Sequence, residues 1–375
     1  MELQIDRQEL HQALFRAQGI VEKKSTMPIL ASVLLDAVQG EGDGRLRVSA
    51  FDLEIGVTGS HPAAVKKPGA VALRHKELFD IVRNLPEGAV TMKREANNRV
   101  RITSGTVEFN LVGQPAEEYP PFPRIEKTQL LPVEATQFLD MIEKTQFAIS
   151  QDETRHNLNG VFLEALPESL KMVATDGHRL ALMERPGATD FGLKKGVIVP
   201  KKGLFELRRL LEEGLPGCEI GFSDTSGVFR RGELTMVMRL IDGEFPNYSQ
   251  VIPKEADRKV QVDRTRLIET LRRVSLLSSD RATSAVKLEL TTGSLRVTSQ
   301  NPDLGEAKED LPVAYEGQPL TIGFNARYLL EVLSVLDSPQ VGLELCDELS
   351  PGVLKPAGGE GVPVRYTAVI MPMRI

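Results

Sequence analysis

Two rhythms alternate along the chain. Runs such as VKLEL, SLRVTS, VRITSG and VEFNLVG place an apolar residue at every second position, the pattern of a strand with one buried face. A few stretches switch to helical spacing: LHQALFRAQG from Leu10, FLDMIEKTQF from Phe138 and LIETLRRVSL from Leu267. Apolar residues recur there at i and i+4, as in Leu10 with Leu14, Phe138 with Ile142 and Leu267 with Leu271. These starts lie about 128–129 residues apart. A second set, LFDIVRNL from Leu78, LFELRRLL from Leu204 and LLEVLSVL from Leu329, recurs at about 125–126 residues. Turn residues follow each of these, in Pro86-Glu87-Gly88, Glu213-Gly214 and Asp337-Ser338-Pro339.

Two helix sets with one interval imply a unit of about 125 residues used three times. That period is too long for a stacked solenoid repeat and matches a domain. The joints fall near PPFPRIEKTQ (Pro120 to Gln129) and VIPKEADRK (Val251 to Lys259), which carry proline and charge as linkers do. The expected domains are therefore 1–125, 126–254 and 255–375. Strands outnumber helices, so each unit reads as α+β, with two helices packed on antiparallel sheet.

Composition narrows the function classes. With 46 Lys and Arg against 52 Asp and Glu, the net charge is −6, so no general basic character draws the chain to nucleic acid. Any such role needs a local basic surface. Cys218 and Cys346 lie far apart, and both read as buried free thiols in a reducing compartment. The first twenty residues are charged throughout, unlike a signal peptide. No apolar run is long enough to span a bilayer. A cytoplasmic location, no membrane partner, no cofactor and no metal are expected.

The stretch LKMVATDGHRLAL, Leu170 to Leu182, concentrates chemistry in Asp176, His178 and Arg179. Asp176-Gly177 between two alternating runs is a hairpin signal, because Gly tolerates the positive φ of the turn. An enzymatic reading finds no support. The five histidines show no H-x-x-x-H spacing, and the G-x-S-x-G, G-x-x-x-x-G-K-[ST] and G-x-G-x-x-G motifs are absent. A recognition reading stands beside the hairpin reading: the turn forms one wall of a groove, and the final VIMPMRI, Val369 to Ile375, forms another. So apolar an ending reads as docked rather than frayed, and Met side chains adapt to varied partners. The alternative for the tail is an ordinary edge strand closing a core.

VATDGHRLAL, HNLNGVFLE, VIVPKKGLFEL, IDGEFPNY, IGFNARYLLEVL and YTAVIMPMRI together resemble the bacterial sliding clamps, the beta subunits of DNA polymerase III, across the whole chain. The resemblance implies a non-catalytic processivity factor. Its chains form a head-to-tail homodimer, a ring of six similar domains with helices lining the hole and sheets outside. It encircles double-stranded DNA without sequence preference. Through a short-motif groove it tethers DNA polymerase III alpha, other polymerases, clamp-loader subunits, and mismatch-repair and ligase-type clients. By position, the groove residues are Leu158, Thr175, Gly177, His178, Arg179, Leu180, Pro246, Val251, Asn325, Tyr328, Val369, Ile370, Met371, Pro372, Met373 and Arg374. Leu180, Val251 and Met371 are expected to meet apolar anchors, with His178 and Arg179 at the rim. Gln250 stands where the family has a familiar Arg, Thr283 where it has an aromatic, and Leu349 and Pro351 where it has small or polar residues.

The same resemblance places DNA contacts at Lys23, Lys24, Arg74, Arg83, Arg155, Lys201, Lys202, Arg208, Arg272 and Arg273. It places the dimer joint at Phe109 and Leu111 on a first-domain edge strand, facing Leu276 and Leu277 of the third domain. In NPDLGEAKED, Gly305 and Lys308 interrupt the acidic run that strengthens this joint in some clamps.

Overall fold

The protein is described from a computed structural model covering residues 1–21, 27–40, 44–123, 125, 128–187, 191–193, 195–214, 216–277, 285–358 and 365–374. Among them are six α-helices: α1 (Arg7–Ala17), α2 (His75–Asn84), α3 (Ala135–Thr145), α4 (Lys201–Glu212), α5 (Arg264–Val274) and α6 (Ala326–Val335). The helical spacing in the sequence becomes one burial pattern, repeated. Leu10, Ala13, Leu14 and Ala17 are buried in α1; Phe138, Met141, Ile142 and Thr145 in α3; Leu267, Thr270, Leu271 and Val274 in α5. Each is an i, i+3, i+4, i+7 stripe. The helices begin about one turn before the apolar run, because a polar cap starts them. Asp6 accepts from the Gln8 and Glu9 amides, Asp263 from Arg266, and Asn325 from Arg327.

Strand pairing divides differently from the sequence repeat. Contacts group the chain into two compact units, 1–136 with 202–240, and 137–201 with 241–375. The first holds a five-stranded sheet and an eight-stranded sheet; the second holds an eight-stranded and a four-stranded sheet. In the first unit, Ile55–Pro62 pairs antiparallel with Leu234–Arg239. In the second, Arg179–Pro186 pairs with Arg365–Ile370. Each eight-stranded sheet therefore joins strands from different thirds of the sequence, so neighbouring repeats share a hydrogen-bonded sheet.

A second repeated device sits at the hairpin ends. Asp176 Oδ1 accepts the His178 and Arg179 amides at 2.9 and 3.0 Å. Asp52 Oδ1 accepts those of Glu54 and Ile55 at 2.9 and 2.6 Å, and Asn301 Oδ1 those of Asp303 and Leu304 at 2.8 and 3.2 Å. These side chains mimic a backbone turn. They also move the expected turn by one residue. The central pair is Gly177-His178, with Gly177 at φ 88°, because the Asp176 side chain caps the turn instead of occupying it. Leu53 takes the matching position at φ 78°, a left-handed conformation costing a leucine about 1–2 kcal/mol.

The cysteines differ from expectation in one respect. Neither cysteine forms a disulfide and Cys218 is buried, but Cys346 is half-buried, its Sγ donating to the Glu255 carbonyl at 3.1 Å. Among the described residues no helix is long and apolar enough to cross a membrane, and no group of three or more His, Cys, Asp or Glu is placed to hold a metal.

His75, from α2, is 5% exposed; its Nε2 donates to the Leu14 carbonyl of α1 at 2.9 Å, and its ring stacks on Phe79. Burial pushes its pKa below the usual 6.5, and burial does the same to His61 despite the Glu9 carboxylate 3.2 Å away. A histidine depressed in the folded state contributes stability above its unfolded pKa and loses it as pH falls below that value. Thermal stability should therefore fall between about pH 7.5 and about pH 5.5, by at most about 1.4 kcal/mol per pH unit for each histidine. His75→Gln keeps the donor and cannot protonate, so its melting temperature should fall less steeply. An unchanged slope would count against this assignment.

Candidate functional site

The candidate groove is built on one sheet face of the second unit. Strand Ser169–Thr175 turns into Arg179–Pro186, which pairs with Arg365–Ile370, itself paired to Gly352–Ala357. Registers Val173↔Leu182, Leu180↔Val369 and Val353↔Val369 gather these five apolar residues into one buried cluster. Phe162, Phe245, Tyr248 and Ile252 pack over it. Phe162 and Phe245 stack at 5.0 Å, and the Tyr248 hydroxyl donates to Glu164 at 2.9 Å. Burial and that carboxylate push the Tyr248 pKa up, so it remains a neutral donor.

The tail is stitched to this sheet. The Met371 amide donates to the His178 carbonyl and the Met373 amide to the Gly323 carbonyl, both at 2.8 Å. Pro372 between them has no amide to give. Met371 to Arg374, with Thr321, Ile322, Gly323, Glu348 and Leu349, line an open cavity of about 590 Å³. Its apolar lining is solvent-facing, with Leu349 70% and Met371 39% exposed; Val251, after the short turn Tyr248–Gln250, is separately 46% exposed. Exposed apolar residues around a concave surface mark a binding site rather than a core.

The remaining groove candidates fall in the same unit with distinct roles. Gly177, His178 and Pro246 are exposed; Leu158, Leu180, Val369 and Ile370 are buried. The Thr175 hydroxyl donates to the Arg179 carbonyl at 2.7 Å and accepts the Gly177 amide at 3.1 Å, holding the hairpin. Asn325 caps α6 through its side chain. Arg179, expected at the rim, lies beneath it at 7% exposure. Its Nε donates to Asp176 at 3.2 Å, its Nη2 to the Phe147 carbonyl at 2.6 Å, and its Nη1 to Glu331 on α6. The guanidinium lies 5.2 Å from the Phe147 ring centroid and 4.5 Å from that of Tyr328. Sequence reasoning missed Phe162, Val353, Phe245, Tyr248, Ile252 and Leu349's neighbour Glu348. The aromatic spacing in GEFPNY was the one available signal.

The basic candidates separate by their partners. Arg74, Lys201 and Arg272 have no side-chain hydrogen bond or ion pair among the described residues. Arg83 pairs with Asp80 at 3.3 Å, Arg155 with Asp152 at 3.0 Å and Arg208 with Glu212 at 2.8 Å. Arg273 grips both oxygens of Glu309 at 2.9 and 2.6 Å, and Lys202 is committed to Asp52, whose side chain is 2% exposed. Lys23 and Lys24, like Thr283, lie outside the described residues.

The joint candidates lie on or beside two terminal strands. Val107–Val112, carrying Phe109 (39% exposed) and half-buried Leu111, ends the five-stranded sheet. Gly305–Pro312 ends the four-stranded sheet, and the short turn Ser275–Leu277 packs against it, with Leu276 79% exposed and Leu277 half-buried.

Comparison with known proteins agrees along the whole chain. Models of the DNA polymerase III beta subunit match its N-terminal domain at residues 1–123, its central domain at 132–247 and its C-terminal domain at 249–374. The beta sliding clamp of Caulobacter vibrioides is 36% identical and that of Escherichia coli K12 32% identical, each covered in full with full coverage of this chain. Among solved structures, the DNA polymerase sliding clamp of Caulobacter crescentus superposes with a TM-score of 0.92 at 35% identity, covering both chains fully. A Bartonella birtlesii sliding clamp bound to griselimycin does so with a TM-score of 0.92 at 34% identity, again over both whole chains. The chain belongs to the DNA polymerase III beta subunit family, the beta sliding clamps.

Proposed function

We propose that this chain is a processivity clamp: two copies close head to tail around double-stranded DNA, and a groove on each tethers client proteins through a short extended motif. The observation that carries the tethering role is the stitched C-terminal tail beside the His178 hairpin, which leaves Met371 and Leu349 exposed on the lining of a cavity. Leu180, Val173 and Val369 belong to the buried apolar cluster of the sheet from which the hairpin and the tail emerge. Burying two apolar anchors of a client contributes about 3–6 kcal/mol, a substantial part of the roughly 8 kcal/mol that micromolar affinity represents. Such weak binding lets polymerase III alpha, other polymerases, clamp-loader subunits and repair clients exchange.

The three repeats serve as domains 1–125, 126–254 and 255–375 in this reading, and the protein works in the cytoplasm. DNA is held by enclosure, so phosphate contacts need only be weak. Arg74, Lys201 and Arg272 offer free charge to phosphate, while Arg83, Arg155, Arg208 and Arg273 share theirs with neighbouring acids. Lys23 and Lys24 add to the basic face, and Lys202 serves mainly its buried carboxylate. Net charge near the DNA is thereby kept low, which favours sliding over gripping. Nothing here calls for bases to be read.

A fluorescein-labelled pentapeptide ending in Leu-Phe should bind the unmodified chain with roughly micromolar affinity, one site per chain. Griselimycin should compete for that site. Binding that survives saturating griselimycin, or no binding, would argue against the groove.

A further inference from the structure

We infer that Arg179 is a positioning residue of the groove: from beneath, its guanidinium latches the His178 hairpin to helix α6, which carries the groove candidate Tyr328, and so fixes the hairpin wall against which a client motif docks. The inference rests on the groove reading above and deepens it.

Each nitrogen of Arg179 is already engaged. Nε serves Asp176 in the hairpin, Nη2 the Phe147 carbonyl, and Nη1 Glu331 in α6. The rings of Phe147 and Tyr328 both pack against the guanidinium. A guanidinium with all three nitrogens engaged and two rings packed against it is held in place by the protein itself. It does join two elements that the chain separates by 152 residues. Glu331 is anchored in turn by Arg327, whose Nε donates to its other oxygen at 2.9 Å.

The repeat supplies an internal control. At the hairpin of the first repeat, the Arg239 amide donates to the Glu54 carbonyl at 2.8 Å, as Met371 does to His178, and Ile55 pairs with Met238 as Arg179 pairs with Ile370. The same Asx cap is present, yet the residue in the place of Arg179 is Ile55, fully buried. The sixth residue of α4 is Glu206, as the sixth of α6 is Glu331, but Glu206 turns to Arg209 on its own helix at 2.7 Å. The fold therefore closes such a hairpin with an aliphatic side chain. A buried ion pair is a costly substitute for apolar packing, so its presence at the joint that carries the cavity points to a demand for fixed geometry, not for stability. A second consequence concerns Tyr328. Stacked under the guanidinium at the N-terminal turn of α6, it is held by the same latch.

The test is a double-mutant cycle read by the labelled Leu-Phe pentapeptide, with melting temperature and dimer mass as folding controls. Arg179→Met and Glu331→Gln should each weaken peptide binding at least about tenfold while leaving dimer mass unchanged. The double variant should bind no more weakly than the worse single one, because both remove one latch. Arg179→Lys keeps the charge but not the fork and should not restore affinity. The proposal is overturned if Glu331→Gln binds within about twofold of the unmodified chain, if the two effects multiply, or if Lys rescues. Failure of the unmodified chain to bind the peptide would instead refute the groove itself, and the latch with it.

Discussion

Replacing Leu276 and Leu277 with aspartate should turn a particle of twice 41.3 kDa into a 41.3 kDa monomer at micromolar concentration. In one protomer, Leu276 stands 79% exposed beside the edge strand Gly305–Pro312. The other open edge, Val107–Val112, exposes Phe109 at 39% and Val112 at 71%. An open strand edge flanked by exposed apolar side chains invites pairing with another chain. Edge-to-edge addition satisfies the unpaired backbone groups and buries these side chains together. Placing two carboxylates in that seam desolvates charge without a partner, which costs well over 3 kcal/mol and weakens association more than about 100-fold. Phe109→Asp, approaching from the other side, should do the same. The apolar share of the seam should dominate, because Arg273 already satisfies Glu309 and Arg296 satisfies Asp310 at 2.8 Å within the protomer. Dissociation should accordingly respond weakly to salt. Sedimentation velocity decides: a variant that remains dimeric would remove this interface.

Deleting the last five residues, Met371 to Ile375, should abolish pentapeptide binding, by more than about 100-fold, with dimer mass unaffected. The deletion takes away the two tail hydrogen bonds, to His178 and to Gly323, and one wall of the cavity. It leaves strand Arg365–Ile370 and its pairing with Arg179–Pro186 in place. The buried cluster of Val173, Leu180, Leu182, Val353 and Val369 is likewise untouched, so the protein should fold. Isothermal titration of the truncated chain checks this; affinity within tenfold of the full chain would place the client elsewhere.

The sequence carried the helices plainly, because their buried stripes depend only on neighbours three and four residues away. Leu10-Leu14, Phe138-Ile142 and Leu267-Leu271 announce both the helices and the threefold repeat, and α+β architecture follows from the strands between. The hairpin at Asp176 was legible as a hairpin but not in its register. Asp176 caps the turn with its side chain, and propensity rules do not distinguish a turn's first residue from its centre. The hairpin and the apolar tail were legible as candidate groove walls from local chemistry, and the remaining groove candidates rest on whole-chain resemblance. What stayed hidden depends on distant partners. Arg179 reads as a rim charge until Glu331, Phe147 and Tyr328 are seen around it. Lys202 reads as a free cation until the buried Asp52, 150 residues away, takes it. The sheets shared between repeats were also invisible, since Met236↔Val57 and Leu180↔Val369 link strands from different thirds.

Enclosure of the duplex is most directly tested by topology. Labelled protein is loaded onto nicked circular DNA and held at about 200 mM salt, where phosphate contacts are weak; the circle is then linearised with a restriction enzyme. The protein should stay on the intact circle and be lost from the linear product by sliding off its ends. Retention on the linear DNA, or loss from the uncut circle, would contradict a clamp.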